Sequence, residues 1–378
     1  MSAHSWNPLG RLFDRPAPPK VGPNTFFVWE PCTHSHAEVV PGFVRYLLDL
    51  GYEVCVCMTP ARYEEGLFSR FDDPRLQLCR LSQPAIVRYF KQNGLSNAAG
   101  VLITTARKIS GAEDYAMERR MFAGRTARQR LLLVEHDVRG PADCGALTPD
   151  IITLRRVHYR DAVTTVVNPH FFGRTESASG SEAAAGAAAG GAPRDAGRSA
   201  VRFITIGALR GRRRNAGLLI EALRGLHESG ARDFKVTVIG RGSLRGVPPA
   251  LRPHLEVLGR VDFRMLYAQM ERADFFLPLL DPVNPAHDRY LTTGTSGSFQ
   301  LIYGFRKPCL IARKFAQLNG FDEGNALLYE DNAGLTGAMG QALQMSAARY
   351  KELQGALGAM ADALYAQSRE NLRRLIAG

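Results

Sequence analysis

From Asn24 onward, short apolar runs rich in β-branched and aromatic residues alternate with amphipathic, helix-like ones. "TFFVWE" is followed by "AEVVPGFVRYLLDLG", "YEVCVCM" by "ARYEEGLFSRF", and "AGVLITTA" by "MERRMFAG" and "RLLLVEHD", with "LQLCRL" also strand-like. Nearly continuous apolar strands separated by helical patterns predict a parallel sheet covered on both faces. The first half therefore reads as a doubly wound domain over residues 24–173, closed by strand-like "DIITL" and "AVTTVVNP" and preceded by an extension over 1–23. Residues 174–200, "RTESASGSEAAAGAAAGGAPRDAGRSA" with its leading arginine, are alanine, glycine and serine rich, and predict a flexible linker. The alternation then restarts with "VRFITIGAL", "AGLLIEALRGLHESG", "FKVTVIG", "LEVLG", "FRMLYAQMERA" and "DFFLPLL", predicting a second such domain over 201–345. Residues 346–378 continue a helical pattern.

Length and composition agree with two cores: 378 residues, 45% of them hydrophobic. The net charge of +12 points to an anionic partner: a nucleic acid, a phosphorylated small molecule or an acidic membrane face. The six cysteines form no C-x-x-C pair and lie mostly in apolar strand-like runs, as reduced core residues of a cytoplasmic protein do. The first twenty residues lack the apolar region of a signal peptide, and no apolar run approaches the roughly 20 residues of a spanning helix.

Two open α/β sheets bind ligands at the C-terminal ends of their strands, so chemistry is expected just after strands. There stands "TTGTSGSFQLIYGFRKPCLI", residues 292–311. Gly294, Thr295, Ser296, Gly297 and Ser298 precede a helix-like run. Small residues allow close backbone approach, and helix-start amides with hydroxyls suit a diphosphate, although a helix N-cap would use the same residue types. "GALRGRRRN", from Gly207 to Asn215, lies between a strand and a helix; Arg210, Arg212, Arg213 and Arg214 could neutralise a diphosphate or form a solvated basic turn. "VIGRGSLRG", beginning its glycines at Gly240, misses the dinucleotide spacing by one residue, and no P-loop is present.

In the first half, "EPCTHSHAEV" follows the first strand. His34, His36 or Glu38 could act as a general base, while Ser35 and Glu38 also fit a helix capping box. "LLLVEHDVRG" puts His136 and Asp137 at a strand end. His34 and His36 lack further ligands at metal-binding spacing, so no metal is assigned.

Together these residues resemble a GT-B glycosyltransferase, nearest to the large retaining "group 1" class, family four. The likeness is best over residues 201–350, where "FITIGALRGRRRNAGLLIEAL", "VTVIGRGS" and "LEVLGRVDFRMLYAQMERADFFLPL" follow the family's order. "VVNPHFFG" resembles the family's segment leading into its second domain. The resemblance implies an α/β fold of two Rossmann-like domains facing a cleft. It implies donor binding by Gly207, Arg210, Arg214, Asn215, Gly240 and the 294–298 turn, with Arg260 and Val261 in the loop that packs on the nucleotide base. It also makes His136 the histidine that contacts the donor sugar. One departure stands out: the family's two glutamates fall, by spacing from Pro308, on Thr293 and Leu301. A retaining course leaves the acceptor proton to the diphosphate; an inverting one needs a base, for which His36 or Glu38 is the candidate.

The expected activity is transfer of a sugar from a nucleotide-diphosphate sugar to a hydroxyl acceptor, in polysaccharide, lipopolysaccharide or glycan synthesis. The nucleotide sugar is then a co-substrate, and no other cofactor is expected. The acceptor would be a glycan or lipid-linked, with peripheral contact to an anionic membrane compatible with the charge. The alternative is a non-catalytic GT-B-like protein that binds nucleotide or glycan. No nucleic-acid motif or aromatic platform accompanies the arginine run.

Overall fold

The computed structural model describes residues 19–31, 36–106, 116–136, 151–155, 164–172, 200–209, 214–244, 246–292 and 294–378. Residues 174–199 of the expected linker, and His34, Ser35, Asp137, Arg210, Arg212, Arg213 and Thr293, lie outside the described residues.

The first half forms a seven-stranded sheet in the order β3-β2-β1-β4-β5-β6-β7. Its strands are β1 (Thr25–Trp29), β2 (Glu53–Met58), β3 (Leu76–Arg80), β4 (Gly100–Ile103), β5 (Arg130–Glu135), β6 (Ile151–Thr153) and β7 (Thr165–Val166). Every pairing is parallel. Side chains alternate across β1: Phe26 and Val28 enter the layer under α1 (Val40–Asp49), while Phe27 and Trp29 enter the opposite layer with Ile86 and Phe90 of α3 (Gln83–Asn93). Both faces are thus covered, which is why the strands read as unbroken apolar runs.

The second half repeats the plan. β8 (Val201–Ile206), β9 (Phe234–Ile239), β10 (Leu255–Gly259) and β11 (Phe275–Phe276) run in the order β10-β9-β8-β11. A parallel bridge from Phe276 to Cys309 carries the sheet on to β12 (Leu310–Ala312) and β13 (Leu327–Tyr329). In both sheets the order reverses beside the first strand, between β1 and β4 and again between β8 and β11, where open sheets form crevices.

Some elements are shorter than their pattern suggests. The helix expected across "ARYEEGLFSRF" is confined to α2 (Pro60–Glu64), because Gly66 takes a left-handed φ of 71°. "MERRMFAG" contributes α4 (Ala116–Met121). In the second half, α5 (Ala216–Glu228), α6 (Phe263–Arg272), α7 (Arg289–Thr292), α8 (Gly297–Phe305), α9 (Arg313–Ala316) and α10 (Gly334–Gln344) precede α11 (Ala347–Ala377).

α11 joins the two halves. Near its start the Tyr350 hydroxyl donates to the carbonyl of Asp274 in the second half at 2.9 Å. Towards its end Tyr365 donates to Asp49, the Ser368 hydroxyl accepts from the Asn168 amide at 2.9 Å, and Asn371 donates to the Val166 carbonyl at 2.9 Å. Leu372 is fully buried in the first sheet's core.

Cys55, Cys57 and Cys309 are buried and unbridged, and Cys79 is half-buried and unbridged. Among the described residues no helix is long and apolar enough to cross a membrane.

Candidate functional site

A cleft of about 560 Å³ lies where the strand ends of the two sheets face each other. From the second half, Gly207, Arg214, Gly240, Arg260, Val261, Thr295, Ser296, Gly297 and Ser298 line it; from the first half, His36, Glu38 and His136 do. Most of the expected site residues therefore meet in one space.

Its centre is the start of α8. Ser296 is the N-cap, its hydroxyl accepting from the Ser298 amide at 3.4 Å. Arg214, 6% exposed, reaches across from the loop after β8: its Nη2 donates to the hydroxyls of Ser296 at 3.0 Å and Ser298 at 2.5 Å, and its Nε to the Ile206 carbonyl at 3.3 Å. A cation, two hydroxyls and the positive end of a nine-residue helix converge on the cleft, a combination that favours an anion. Gly240 keeps the adjoining loops together. A Cβ there would lie 1.9 Å from the Gly207 carbonyl oxygen, and its φ is 143°.

Two expected donor residues do other work. Asn215 does not line the cleft; its Oδ1 caps α5 by accepting from the Leu218 amide at 3.1 Å, and its Nδ2 donates to Asp281 at 2.6 Å. Gly294 likewise stands behind the lining residues, its carbonyl accepting from Nε and Nη2 of Arg155 at 3.2 and 3.0 Å. Arg155 follows β6, so the first half holds the turn that leads into α8.

On the facing wall, His36 occupies the left-handed region at φ 67°, uncommon outside glycine, at the start of a 3-10 turn over Ala37–Val39. The helix itself begins at Val40, one turn later than a capping box at Ser35 requires. Glu38 lies in the 3-10 turn ahead of that helix. Its carboxylate lies over Gly297 of the other half, where a Cβ would come within 2.1 Å of Oε1. The rings of His36 and His136 are 4.3 Å apart, and Nε2 of His136 lies 2.7 Å from the Thr104 carbonyl. Burial, and then the neighbouring His36, hold the His136 imidazole well below its ordinary range, at about 4.

Sequence reasoning missed a cationic corner. Arg62 and Glu65, from the connection after β2, line the cleft opposite Arg260. Arg62 Nη1 donates to Glu65 Oε2 at 2.7 Å, and Arg260 Nη2 to Glu65 Oε1 at 2.5 Å. The Phe263 amide donates to the Glu65 carbonyl at 2.8 Å, so this corner also ties the halves together. Arg241, Leu154 and Tyr290 are among the other lining residues that were not anticipated. Among the described residues no group of three or more histidines, cysteines and acidic residues is arranged to hold a metal.

No protein-family model and no curated protein matches this sequence. Solved structures do. A glycosyltransferase from Rickettsia africae ESF-5 superposes with a TM-score of 0.56 at 11% identity, over 93% of this chain and 97% of that one. HepE of Anabaena, in complex with UDP-glucose, gives 0.56 at 12% identity, over 94% and 100%. AviGT4, a glycosyltransferase involved in avilamycin A biosynthesis, gives 0.53 at 14% identity, over 94% and 98%. The chain has the two-domain GT-B fold.

Proposed function

We propose that this GT-B chain is a glycosyltransferase that moves a sugar from a nucleotide-diphosphate donor to a hydroxyl of a glycan or lipid-linked acceptor. The observation that carries the reading is Arg214 bonded to Ser296 and Ser298 at the start of α8, facing the cleft. A departing diphosphate develops negative charge there, and a preorganised guanidinium, two hydroxyls and helix-start amides stabilise it without reorganising. Arg210 belongs to the same loop and is assigned the same task.

The facing histidines and Glu38 border the space where sugar and acceptor would meet. His136 is assigned to the donor sugar. A retaining transfer hands the acceptor proton to the leaving diphosphate, whereas an inverting transfer hands it to Glu38 or His36. The anomeric configuration of the product distinguishes the two. The reaction needs no further cofactor on this reading.

Calorimetric titration with UDP, GDP, CMP and TDP, with NAD as control, tests the donor site. The UDP-glucose bound to HepE makes UDP the first to try. Saturable binding of one nucleotide is expected, followed by turnover of its sugar derivatives; binding of none by the folded protein refutes the reading. A second reading, a binder without turnover, is favoured by Leu301, an apolar residue 3% exposed at one of the family's glutamate positions. Nucleotide binding without hydrolysis or transfer would support it.

A further inference from the structure

Arg260 of this corner is assigned to the nucleotide base, but Arg62 and Glu65 have no part in the donor site assigned above, and their chemistry is unusual. Arg62 is 7% exposed and its Nη1 donates to Glu65, yet among the described residues its buried Nε and Nη2 have no hydrogen-bond partner. A guanidinium offers five donors, and leaving buried ones unsatisfied is unfavourable. Such a group persists where its missing acceptor belongs to something that binds. Among the described residues the anion it pairs with is Glu65, whose carboxylate is shared between Arg62 of one half and Arg260 of the other. Two arginines converging on one carboxylate make an anion site already filled by a side chain. The lining of the cleft leans the same way, with Arg62, Arg214, Arg241 and Arg260 against Glu38 and Glu65.

We infer that this corner is an anion subsite on the first-half side of the cleft, and that the acceptor carries a phosphate or carboxylate which displaces Glu65 and is held by Arg62. This rests on the glycosyltransferase reading for the word acceptor, but the anion site itself does not. Arg62 stands in α2, which follows β2 of the first sheet, whereas Arg214 and the α8 turn belong to the second half. In the present arrangement Glu65 seals the site. An incoming anion exchanges with its carboxylate and also takes the two free donors, Nε and Nη2, as a fork does with an oxyanion. Release of Glu65 loosens its grip on Arg260, so loading of the acceptor is coupled to the contact between the halves.

Inorganic phosphate is the probe. It is titrated calorimetrically into the full chain, with nucleotide at saturation wherever one binds, for wild type, Arg62→Gln, Arg62→Lys and Glu65→Gln. Arg62→Gln is expected to weaken phosphate binding by about tenfold or more, with partial recovery in Arg62→Lys. Glu65→Gln, which removes the competing carboxylate, is expected to tighten it by about threefold or more. Nucleotide affinity should be unchanged in Arg62→Gln. Phosphate binding that is absent from wild type, or indifferent to Arg62→Gln in folded protein, overturns the site. A parallel loss of nucleotide affinity would move Arg62 to the donor and overturn the acceptor assignment. If Arg62→Gln does not fold, Glu65→Gln decides alone, and no gain overturns the inference. If no nucleotide binds wild type, the donor reading fails while the phosphate series still judges Arg62.

Discussion

The ring of His136 lies 4.3 Å from that of His36, centroid to centroid, while its Nε2 faces the Thr104 carbonyl at 2.7 Å. The carbonyl can only accept, so Nε2 carries the proton and Nδ1 is left as an acceptor. A second proton would have to enter a half-buried, poorly solvated ring beside another imidazole, which is why the value falls to about 4.

That arrangement has a pH signature. A histidine held at about 4 stays neutral while the unfolded chain takes up a proton near 6.5, so the folded state loses stability as pH falls between those values. The loss amounts to roughly 3 kcal/mol by pH 4 from this residue and nothing above pH 7. Urea titrations across that window, compared with His136→Gln, measure it. An NMR resonance of His136 titrating near 6.5 would contradict the assignment.

Arg214→Lys keeps the charge but loses the fork that spans Ser296 and Ser298. Nucleotide affinity is expected to fall by about tenfold or more, from loss of charge-assisted bonds of roughly 1.5–3 kcal/mol. Calorimetry with the bound nucleotide checks this, and unchanged affinity removes Arg214 from the donor site.

Gly240→Ala puts a methyl group against the Gly207 carbonyl in a backbone conformation that alanine resists. A cost of at least about 2–3 kcal/mol is expected, with the loops at Gly207 and Gly240 pushed apart. Denaturant unfolding reads the first effect and nucleotide titration the second.

Leu372→Ala should destabilise a half of the molecule remote from it in sequence. The residue is fully buried in the first sheet's core, so the expected cost is about 2–5 kcal/mol. Hydrogen exchange should quicken in β1 and β2 more than in β8 and β9. Equal protection in all four strands would mean that the contact carries little energy.

The architecture was legible because both sheets are buried on two faces: runs such as "TFFVW" and "FITI" admit little but a strand, and their alternation with helices sets the topology. The 294–298 turn and Arg214 were picked out separately as diphosphate candidates, since anion chemistry at a helix start uses a small set of residue types, and the structure brings them together. Asn215 shows the limit of that logic, because an N-cap draws on the same types and Asn215 is one. Arg62 was hidden for a different reason. Within "ARYEEG" it looks like part of a solvated helix face; only the approach of Arg260, 198 positions away by subtraction of their numbers, makes it a site. Likewise nothing in the sequence shows that Glu38 lies against Gly297 of the other half.

The long last helix has a bearing on how the protein comes into being. On the ribosome β1 to β7 emerge early, yet the layer beneath α1 lacks Leu372, and the strand-end backbone at Val166 and Asn168 lacks Asn371 and Ser368, until the entire second half has been made. The nascent first half must wait with an apolar groove uncovered, which exposes it to chaperones and to mispairing during synthesis. Its final closure is a late event, and it coincides with the moment the cleft acquires both walls.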